Sequence, residues 1–391
     1  MPKTKDIALI CFDNPFLKPM EGGKRAMLTR IKSLGFLDAN VDVFLLNKPD
    51  EGFAELDSVS VSEGISLFQF QMSSHPSLDS LLKYPVCVAK RFVPGLASKL
   101  DDNYYDAIIY EGAQVASYGF EGCAHASKHI LYYHDIESVY RSQLARSEKN
   151  PLKSFLQMRE SKKFEMMETR LGVSFDSHLF VSCEESSFFS SEHNLRGSVR
   201  YAPYAVDCIA DEVPSETVEG RILYVGDMSL DSNYRSVEWF VCEVLPLIDN
   251  RVENVELRLI GRLDSEKRKH LESLSESVRV MGYVDDLDDE YKSASCMISP
   301  ILYGAGVKVK LIDALAKGQI VIANTKACEG TKLRDAGCVL VGDSPEDMAR
   351  LCCDVLANRE DYVSVAENAL VYIRRFHSME AQSALLLEEI G

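Results

Sequence analysis

Short apolar runs of strand length alternate with amphipathic stretches of helix length along the whole chain. In its first half, this pattern predicts strands at residues 6–12, 41–46, 65–70, 106–111, 129–135 and 178–182. The intervening helices are predicted near 23–35, 78–99, 114–127, 137–171 and 184–191. Strands that alternate with helices in this way are typical of a parallel sheet covered by helices.

A linker is predicted at residues 201–220, where two prolines and small polar residues interrupt the periodicity. The alternation then restarts, with strands at 221–227, 255–261, 278–284, 296–301, 319–325 and 338–343, and helices near 234–248, 264–276, 286–294, 307–317, 328–336 and 345–357. We therefore predict an α/β protein with two Rossmann-like, doubly wound domains facing across a cleft. Ligands of such sheets bind at the carboxyl ends of the strands.

The sequence divides into two predicted domains, residues 1–203 and 204–370. Residues 371–391 are predicted to form a helix that crosses back onto the first domain. A length of 391 residues agrees with two domains, because a single core rarely grows beyond about 250–300 residues. The 11 cysteines lack metal-ligand spacing and predict buried free thiols; with no export signal or membrane span evident, a cytoplasmic location is expected.

Charge is unevenly placed. The net charge of −17 falls mostly in the second half, which argues against a nucleic-acid partner. Residues 141–170 are the exception, with eight basic side chains against four acidic ones. Two interpretations remain open for this segment: a solvated helical face, or a contact with an anionic membrane or acceptor, which would place the protein on the cytoplasmic face.

The segment GAGVKVKLID, residues 304–313, holds more candidate ligand-binding residues than any other stretch of this length that we identify. Gly304 and Gly306 allow the backbone to approach a ligand closely, and the helix that follows offers unpaired N–H groups to a diphosphate. Lys308 and Lys310 add positive charge, but they lie about 200° apart around a helix, so only one is expected to be the deep contact. Asp313 shares the face of Lys310 and can accept hydrogen bonds from a ribose; a surface Lys–Asp pair is the alternative.

The segment GAGVKVKLIDALAKGQIVIANTKACEG resembles the donor-binding segment of glycosyltransferase family 4, the glycosyl transferases group 1. Further similar segments are RILYVGDMSLDSNYRSVEWFVCEVLPLI, VMGYVDDLDDEYKSA, APYAVD, EGGKR and HDIES, and they follow the order of that family along nearly the whole chain. The resemblance implies the GT-B fold.

The family pattern has two glutamates, and this chain departs from it at both positions. Ala305 stands in the first position, which puts a carboxylate contact with the donor sugar in doubt, and Asp313 stands in the second, where it can keep the ribose role. The resemblance further implies that Gly226 and Asp227 approach the diphosphate, and that the turn at Tyr283 and Val284 recognises the base through backbone groups. For the first of these pairs, a plain strand-to-loop turn is the alternative.

In the first domain, Gly22 and Gly23 precede a helix whose N-terminus could meet phosphate or the transferring sugar, although a flexible connection is the alternative. His134 and Asp135 follow a strand; the resemblance implies that His134 contacts the donor sugar, whereas a lone histidine is more often structural. Glu111 ends the preceding strand. Glu111 and Asp135 are candidate contacts for an acceptor hydroxyl.

The predicted function is transfer of a sugar, with retention, from a nucleotide diphosphate sugar to a glycan, lipid-linked or other acceptor in polysaccharide or glycoconjugate biosynthesis. Residues 1–203 are expected to bind the acceptor, and residues 204–370 the nucleotide sugar. His134, Lys308 and Lys310 are the candidate catalytic residues, and neither a metal nor a cofactor beyond the donor is expected, since the lysines and helix N-termini can stabilise the leaving diphosphate. Two alternatives stay open: a nucleotide-sugar epimerase of the same fold, and a non-catalytic sugar-binding protein. An oxidoreductase is disfavoured because no GxGxxG follows the first strand of either half.

Overall fold

The computed structural model describes residues 4–18, 22–56, 61–304 and 306–391. The chain divides into two compact units. Unit 1 comprises Met1–Ala205 together with Met379–Gly391, and unit 2 comprises Val206–Ser378.

Unit 1 is built on a seven-stranded parallel sheet of order β3-β2-β1-β4-β5-β6-β7. The strands are β1 (Lys5–Cys11), β2 (Ala39–Asn47), β3 (Ile65–Gln71), β4 (Tyr104–Glu111), β5 (His125–Tyr133), β6 (Ser177–Phe180) and β7 (Ser198–Tyr201). The order reverses between β1 and β4, so the loops after these two strands flank the switch point at which doubly wound sheets bind ligands. The sequence prediction missed β7, a short edge strand whose residues are only partly buried or exposed.

The helices of unit 1 are α1 (Gly22–Leu34), α2 (Leu78–Lys83), α3 (Val86–Arg91), α4 (Pro94–Asp101), α5 (Glu137–Ser147), α6 (Pro151–Ser174) and α7 (Cys183–Glu192). Pro85 and Pro94 lack a donor N–H, so the stretch predicted as one helix over 78–99 is three short ones. The helix predicted at 114–127 is wrong. A short 3₁₀ helix, Ala113–Gly119, occupies its first part, and β5 begins at His125 beside β4.

Unit 2 carries a six-stranded parallel sheet of order β10-β9-β8-β11-β12-β13. Its strands are β8 (Arg221–Val225), β9 (Glu256–Ile260), β10 (Val278–Gly282), β11 (Cys296–Ser299), β12 (Val321–Ala323) and β13 (Leu340–Val341). The switch point of this sheet lies between β8 and β11. In both sheets the central strands bury consecutive residues, as parallel sheets covered on both faces require.

The helices of unit 2 are α8 (Asp231–Trp239), α9 (Leu245–Asp249), α10 (Ser265–Leu274), α11 (Asp288–Ser293), α12 (Val309–Ala316), α13 (Pro345–Ala357) and α14 (Val363–Phe376). Residues 240–244, between α8 and α9, form a turn of π-helix just before Pro246, which cannot donate a backbone hydrogen bond. No helix forms at 328–336, where one was predicted. This segment is a series of turns, with Gly330 inside it and Gly337 directly after it at positive φ.

The last helix, α15 (Met379–Ile390), belongs to unit 1. The Ser33 hydroxyl of α1 donates to the Gln382 side chain at 3.0 Å, and Arg200 forms 2.8 Å ion pairs with Glu388 and Glu389. The segment that returns to unit 1 thus starts at Met379 rather than at residue 371, because residues 371–376 complete α14 of unit 2.

All 11 cysteines are free, but Cys208 and Cys242 are exposed, contrary to the expectation of buried thiols.

Among the helices of the described ranges, none combines the length and the apolar character that crossing a bilayer requires.

Candidate functional site

The carboxyl ends of the central strands of unit 2 bring glycines and charged side chains together. Gly226 follows β8, Gly261 follows β9, and their backbones are in close contact: the Gly226 N–H donates to the Ile260 carbonyl at 2.9 Å. A Cβ added to Gly261, whose φ is +142°, would lie 1.9 Å from the Gly226 carbonyl oxygen. Only glycine fits there, which keeps the backbone at the switch point open to a ligand.

The glycine loop after β11 also adopts conformations that favour glycine. Gly304 has a φ of +118° and Gly306 a φ of +76°, and a Cβ on Gly304 would meet open space. Ala305, the position that departs from the family pattern, lies outside the described residues. The chain then enters α12 at Val309, with Lys308 as the residue that caps its N-terminus.

The two lysines of this segment have different environments. Lys308 donates back to the Gly306 carbonyl at 2.5 Å. Lys310, in the first turn of α12, donates to the Tyr224 hydroxyl and to the Asn233 side-chain oxygen, both at 2.9 Å. Burial, and after it the charge of Lys308, lowers the pKa of Lys310 to about 7. A partly buried ammonium whose partners, among the described residues, are neutral oxygens is well suited to receive an anion.

A hydrogen-bond network extends from Lys310 to a third cation. The Asn233 amide also donates to the backbone carbonyl of Asp227 at 2.9 Å, and the Asp227 carboxylate pairs with Arg262. Burial acts to raise the pKa of Asp227, but hydrogen bonds from Ser229 and the pairing with Arg262 hold it below its ordinary value. Arg262, 55% exposed, is therefore positioned beside the glycine backbone at the end of β8.

The other predicted donor contacts of unit 2 lie at the same end of its sheet or on α12. Tyr283 and Val284 follow β10; the Tyr283 side chain is 70% exposed, which agrees with a turn that acts through its backbone. Asp313 is half-buried on α12, one turn beyond Lys310.

In unit 1, a buried ion-pair network lies at the ends of β4 and β5. Glu111 is 0% exposed, and each of its carboxylate oxygens is engaged: Arg30 Nε donates to Oε1 at 2.6 Å, and His134 Nε2 lies 2.7 Å from Oε2. The Arg30 guanidinium also lies 3.2 Å above the centre of the Tyr132 ring. Burial acts to raise the pKa of Glu111, but the Arg30 charge and the His134 hydrogen bond hold it below its ordinary value.

This geometry changes the role given to Glu111. Glu111 is fully buried and both of its oxygens contact side chains of unit 1, so its carboxylate is not exposed to the acceptor hydroxyl that the sequence assigned to it. The imidazole of His134 is partly exposed, and its contact with Glu111 fixes its orientation.

The remaining candidates of unit 1 lie nearby. α1 begins at Gly22, and a Cβ on Gly23 would lie 3.2 Å from the Phe12 ring. Lys24, the first basic residue of this helix, is 3% exposed and lies 3.9 Å from Asp13 and from Glu51, so its charge is balanced inside the unit. Asp135 is half-buried between β5 and α5.

Two Rossmann-like parallel sheets, each with glycines and charged groups at its carboxyl edge, define the GT-B class of glycosyltransferase fold. Residues 219–358, most of unit 2, match the family model described as Glycosyl transferases group 1. The predicted resemblance and the predicted fold class are thus confirmed, and sugar transfer is the reaction class that they support.

Similar proteins extend over the whole chain. A Klebsiella pneumoniae protein described as an uncharacterized 44.6 kDa protein in the cps region is 21% identical, over 98% of this chain and 99% of that protein. The structure of sucrose-phosphate synthase from Thermosynechococcus elongatus superimposes with a TM-score of 0.71 at 17% identity, covering 98% of each chain. That of Anabaena HepE, in complex with UDP and glucose, gives 0.64 at 12% identity, again over 98% of each chain.

Sequence reasoning missed four side chains of these networks. Tyr224 and Asn233 hold Lys310, Arg262 pairs with Asp227, and Arg30 pairs with Glu111. A signal existed for Arg262, since a Gly-Arg pair directly after a strand places a cation at the carboxyl edge of the sheet.

Proposed function

We propose that this chain is a glycosyltransferase that holds a nucleotide diphosphate sugar on unit 2 and transfers the sugar with retention to an acceptor bound by unit 1. The observation that carries the proposal is Lys310, a partly buried lysine at the N-terminus of α12 and behind a glycine loop. Among the residues that the structure describes, no carboxylate pairs with it. A diphosphate supplies the negative charge that this position lacks.

The chemical role of this charge is to stabilise the leaving group. As the bond from the anomeric carbon to the diphosphate breaks, negative charge grows on the phosphate oxygens. Lys310, Lys308 and the N–H groups of α12 are fixed before the reaction, so they stabilise that charge without reorganisation. We assign Asp313 to the ribose, and His134 to the donor sugar as the resemblance implies.

We also propose that the reaction needs no metal ion. Among the described residues, no cluster of three or more His, Cys, Asp or Glu side chains could hold one. Arg262 adds a third cation to the two lysines. Turnover that persists after treatment with EDTA would agree with this, and turnover that needs added magnesium would contradict it.

A nucleotide panel tests the donor. We expect at least one of UDP, GDP, TDP and ADP to raise the melting temperature, and its monophosphate to raise it less, because the β-phosphate meets the cations. A ligand of the folded state at 100 times its dissociation constant adds about 2.7 kcal/mol. If no nucleotide stabilises the protein, the proposal fails. Conversion of the donor into an isomer without an acceptor would instead favour the epimerase.

The proposal includes contact between unit 1 and an anionic membrane through the tip of the α5–α6 hairpin. Leu152 and Phe155 at the start of α6 are 67% and 65% exposed. Exposed basic side chains surround them, at Arg146, Lys149 and Lys153. Apolar side chains beside lysines and arginines suit the boundary between headgroups and acyl chains. Arg141 and Lys163 are excluded from this surface, since they bond within unit 1.

Vesicle flotation tests this surface. Leu152→Ser combined with Phe155→Ser is expected to weaken binding to phosphatidylglycerol-containing vesicles by tenfold or more, because each buried apolar side chain contributes roughly 1.5–3 kcal/mol. The matched control is Val371→Ser, which removes an apolar side chain, 63% exposed, from α14 of unit 2. Equal binding by wild type and the double variant would leave this segment as a solvated helical face.

A further inference from the structure

Unit 1 contains a cavity of about 440 Å³ that the described networks do not occupy. It lies beyond the carboxyl ends of β2 and β3 and is walled by α3, α5 and α6. Apolar atoms, including those of Met72 and Leu156, form part of its wall. Four cationic side chains also line it: Lys48, Lys90, Arg91 and Arg141.

The charges of these four side chains are not equally balanced. Lys48 lies 3.2 Å from Asp13, and Arg141 lies 3.1 Å from Glu137. Arg91 instead donates to two backbone carbonyls, those of Phe12 at 2.7 Å and Cys87 at 3.1 Å. Over the ranges that the structure describes, neither Arg91 nor Lys90 has a carboxylate within ion-pair distance. Two carboxylates, Asp50 and Glu160, also line the cavity, and Glu160 pairs with Arg159 and Lys163. The lining therefore holds four cationic side chains against two carboxylates and carries a net positive charge.

Contacts of two residues of the cavity wall lead towards His134 and Glu111. Phe12 makes two contacts: its backbone carbonyl accepts a hydrogen bond from Arg91, and its ring packs edge-on against the His134 imidazole, with ring centres 5.3 Å apart. Glu137 accepts hydrogen bonds from two side chains, those of Arg141 in the cavity wall and of Gln114. Gln114 follows Glu111 by three residues in the chain. The cavity wall is thus linked through Phe12 to His134 and through Glu137 to the residues that follow Glu111.

We infer that this cavity binds an acceptor that carries a phosphate or carboxylate, held by Arg91 and Lys90, with its sugar or hydrocarbon part against the apolar wall. The inference rests on the proposed function, which supplies the need for an acceptor. Arg91 lines the cavity, and although its Nε and one Nη donate to backbone carbonyls, the guanidinium has further N–H groups that can donate to an anion. The anion belongs either to a soluble sugar phosphate or to a lipid headgroup, since the chemistry of recognition is the same.

Calorimetric titration tests the inference with two probes: glucose 6-phosphate, against glucose, and phosphatidylcholine vesicles carrying dolichyl phosphate, against vesicles of equal charge carrying phosphatidylserine. Both are run with the best-binding nucleotide present, so that its own site is filled. Arg91→Gln and Lys90→Gln are each expected to weaken binding of the phosphorylated probe about tenfold, the loss of one charged hydrogen bond. The control Lys269→Gln, an exposed lysine of α10, is expected to have no effect.

Each outcome is informative. Arg91-dependent binding of glucose 6-phosphate alone identifies a soluble acceptor, and Arg91-dependent binding of dolichyl phosphate alone identifies a lipid-linked one. If neither probe binds better than its control, or if binding is unchanged in Arg91→Gln and Lys90→Gln, the inference is overturned. Lys90→Gln guards against misfolding of Arg91→Gln, because the Lys90 side chain is exposed. A protein that binds the phosphorylated probe but no nucleotide would refute the proposed function instead.

Discussion

Lys310→Ala is expected to weaken binding of the preferred nucleoside diphosphate by about 10- to 150-fold. A hydrogen bond between charged partners is worth roughly 1.5–3 kcal/mol, and 1.4 kcal/mol is a factor of ten in affinity. Turnover is expected to fall further, by about 100- to 1000-fold, because the charge on the diphosphate grows as the sugar leaves. Titration calorimetry gives the affinity, and release of nucleoside diphosphate gives the turnover.

The pH dependence of binding distinguishes Lys310 from a general contribution of positive charge. Its pKa is about 7 in the free protein, and a bound diphosphate raises it, so binding above pH 7 requires uptake of a proton. Wild-type affinity is therefore expected to fall by up to about tenfold per pH unit above pH 7, where the phosphates themselves no longer titrate. Lys310→Ala should lose this slope, and Lys269→Ala should keep it. The same slope in all three proteins would contradict the assignment.

The alternation of apolar runs with amphipathic stretches predicts both sheets, because it depends on local sequence. The strands are rich in β-branched and aromatic residues, and the helices end at Gly or Pro. The prediction fails where tertiary contacts decide. His125 and the residues after it pair with β4 and become strand, although the segment read as the end of a helix. Residues 328–336 form turns, in which Gly330 adopts positive φ, and Gly337 directly after them does so too.

In the candidate site, too, local sequence predicts some features and tertiary contacts decide the others. Spacing alone argues that Lys308 and Lys310 cannot share a direction, and the structure separates them: Lys308 returns to its own loop, whereas Lys310 reaches Tyr224, 86 residues earlier in the chain. The pairing of Arg30 with Glu111 joins positions 81 residues apart. No local pattern reveals such a partner, so Glu111 looked like an open ligand contact until the fold supplied its neighbours.

Glu111→Gln is expected to lower the free energy of unfolding by about 3–5 kcal/mol at pH 7, because it leaves the Arg30 guanidinium buried without a counter-charge. The difference should depend on pH. The pKa of Glu111 is below its ordinary value, so its contribution is present above the unfolded value of about 4.3 and is lost as pH falls through the folded one. Urea unfolding at a series of decreasing pH values measures whether the free energies of unfolding of wild type and variant become equal.

The matched control is Glu272→Gln, which removes the same charge from an exposed pair in which Arg268 lies 3.1 Å from Glu272. It is expected to cost less than about 1 kcal/mol, since solvent screens such pairs. Where Glu111→Gln remains folded, its role in positioning His134 predicts a lower kcat for donor turnover with unchanged nucleotide affinity, because the nucleotide contacts belong to unit 2. A variant as stable as wild type would show that the carboxylate does not balance Arg30. A variant that loses nucleotide affinity in step with kcat would show that the carboxylate does not act by orienting the imidazole.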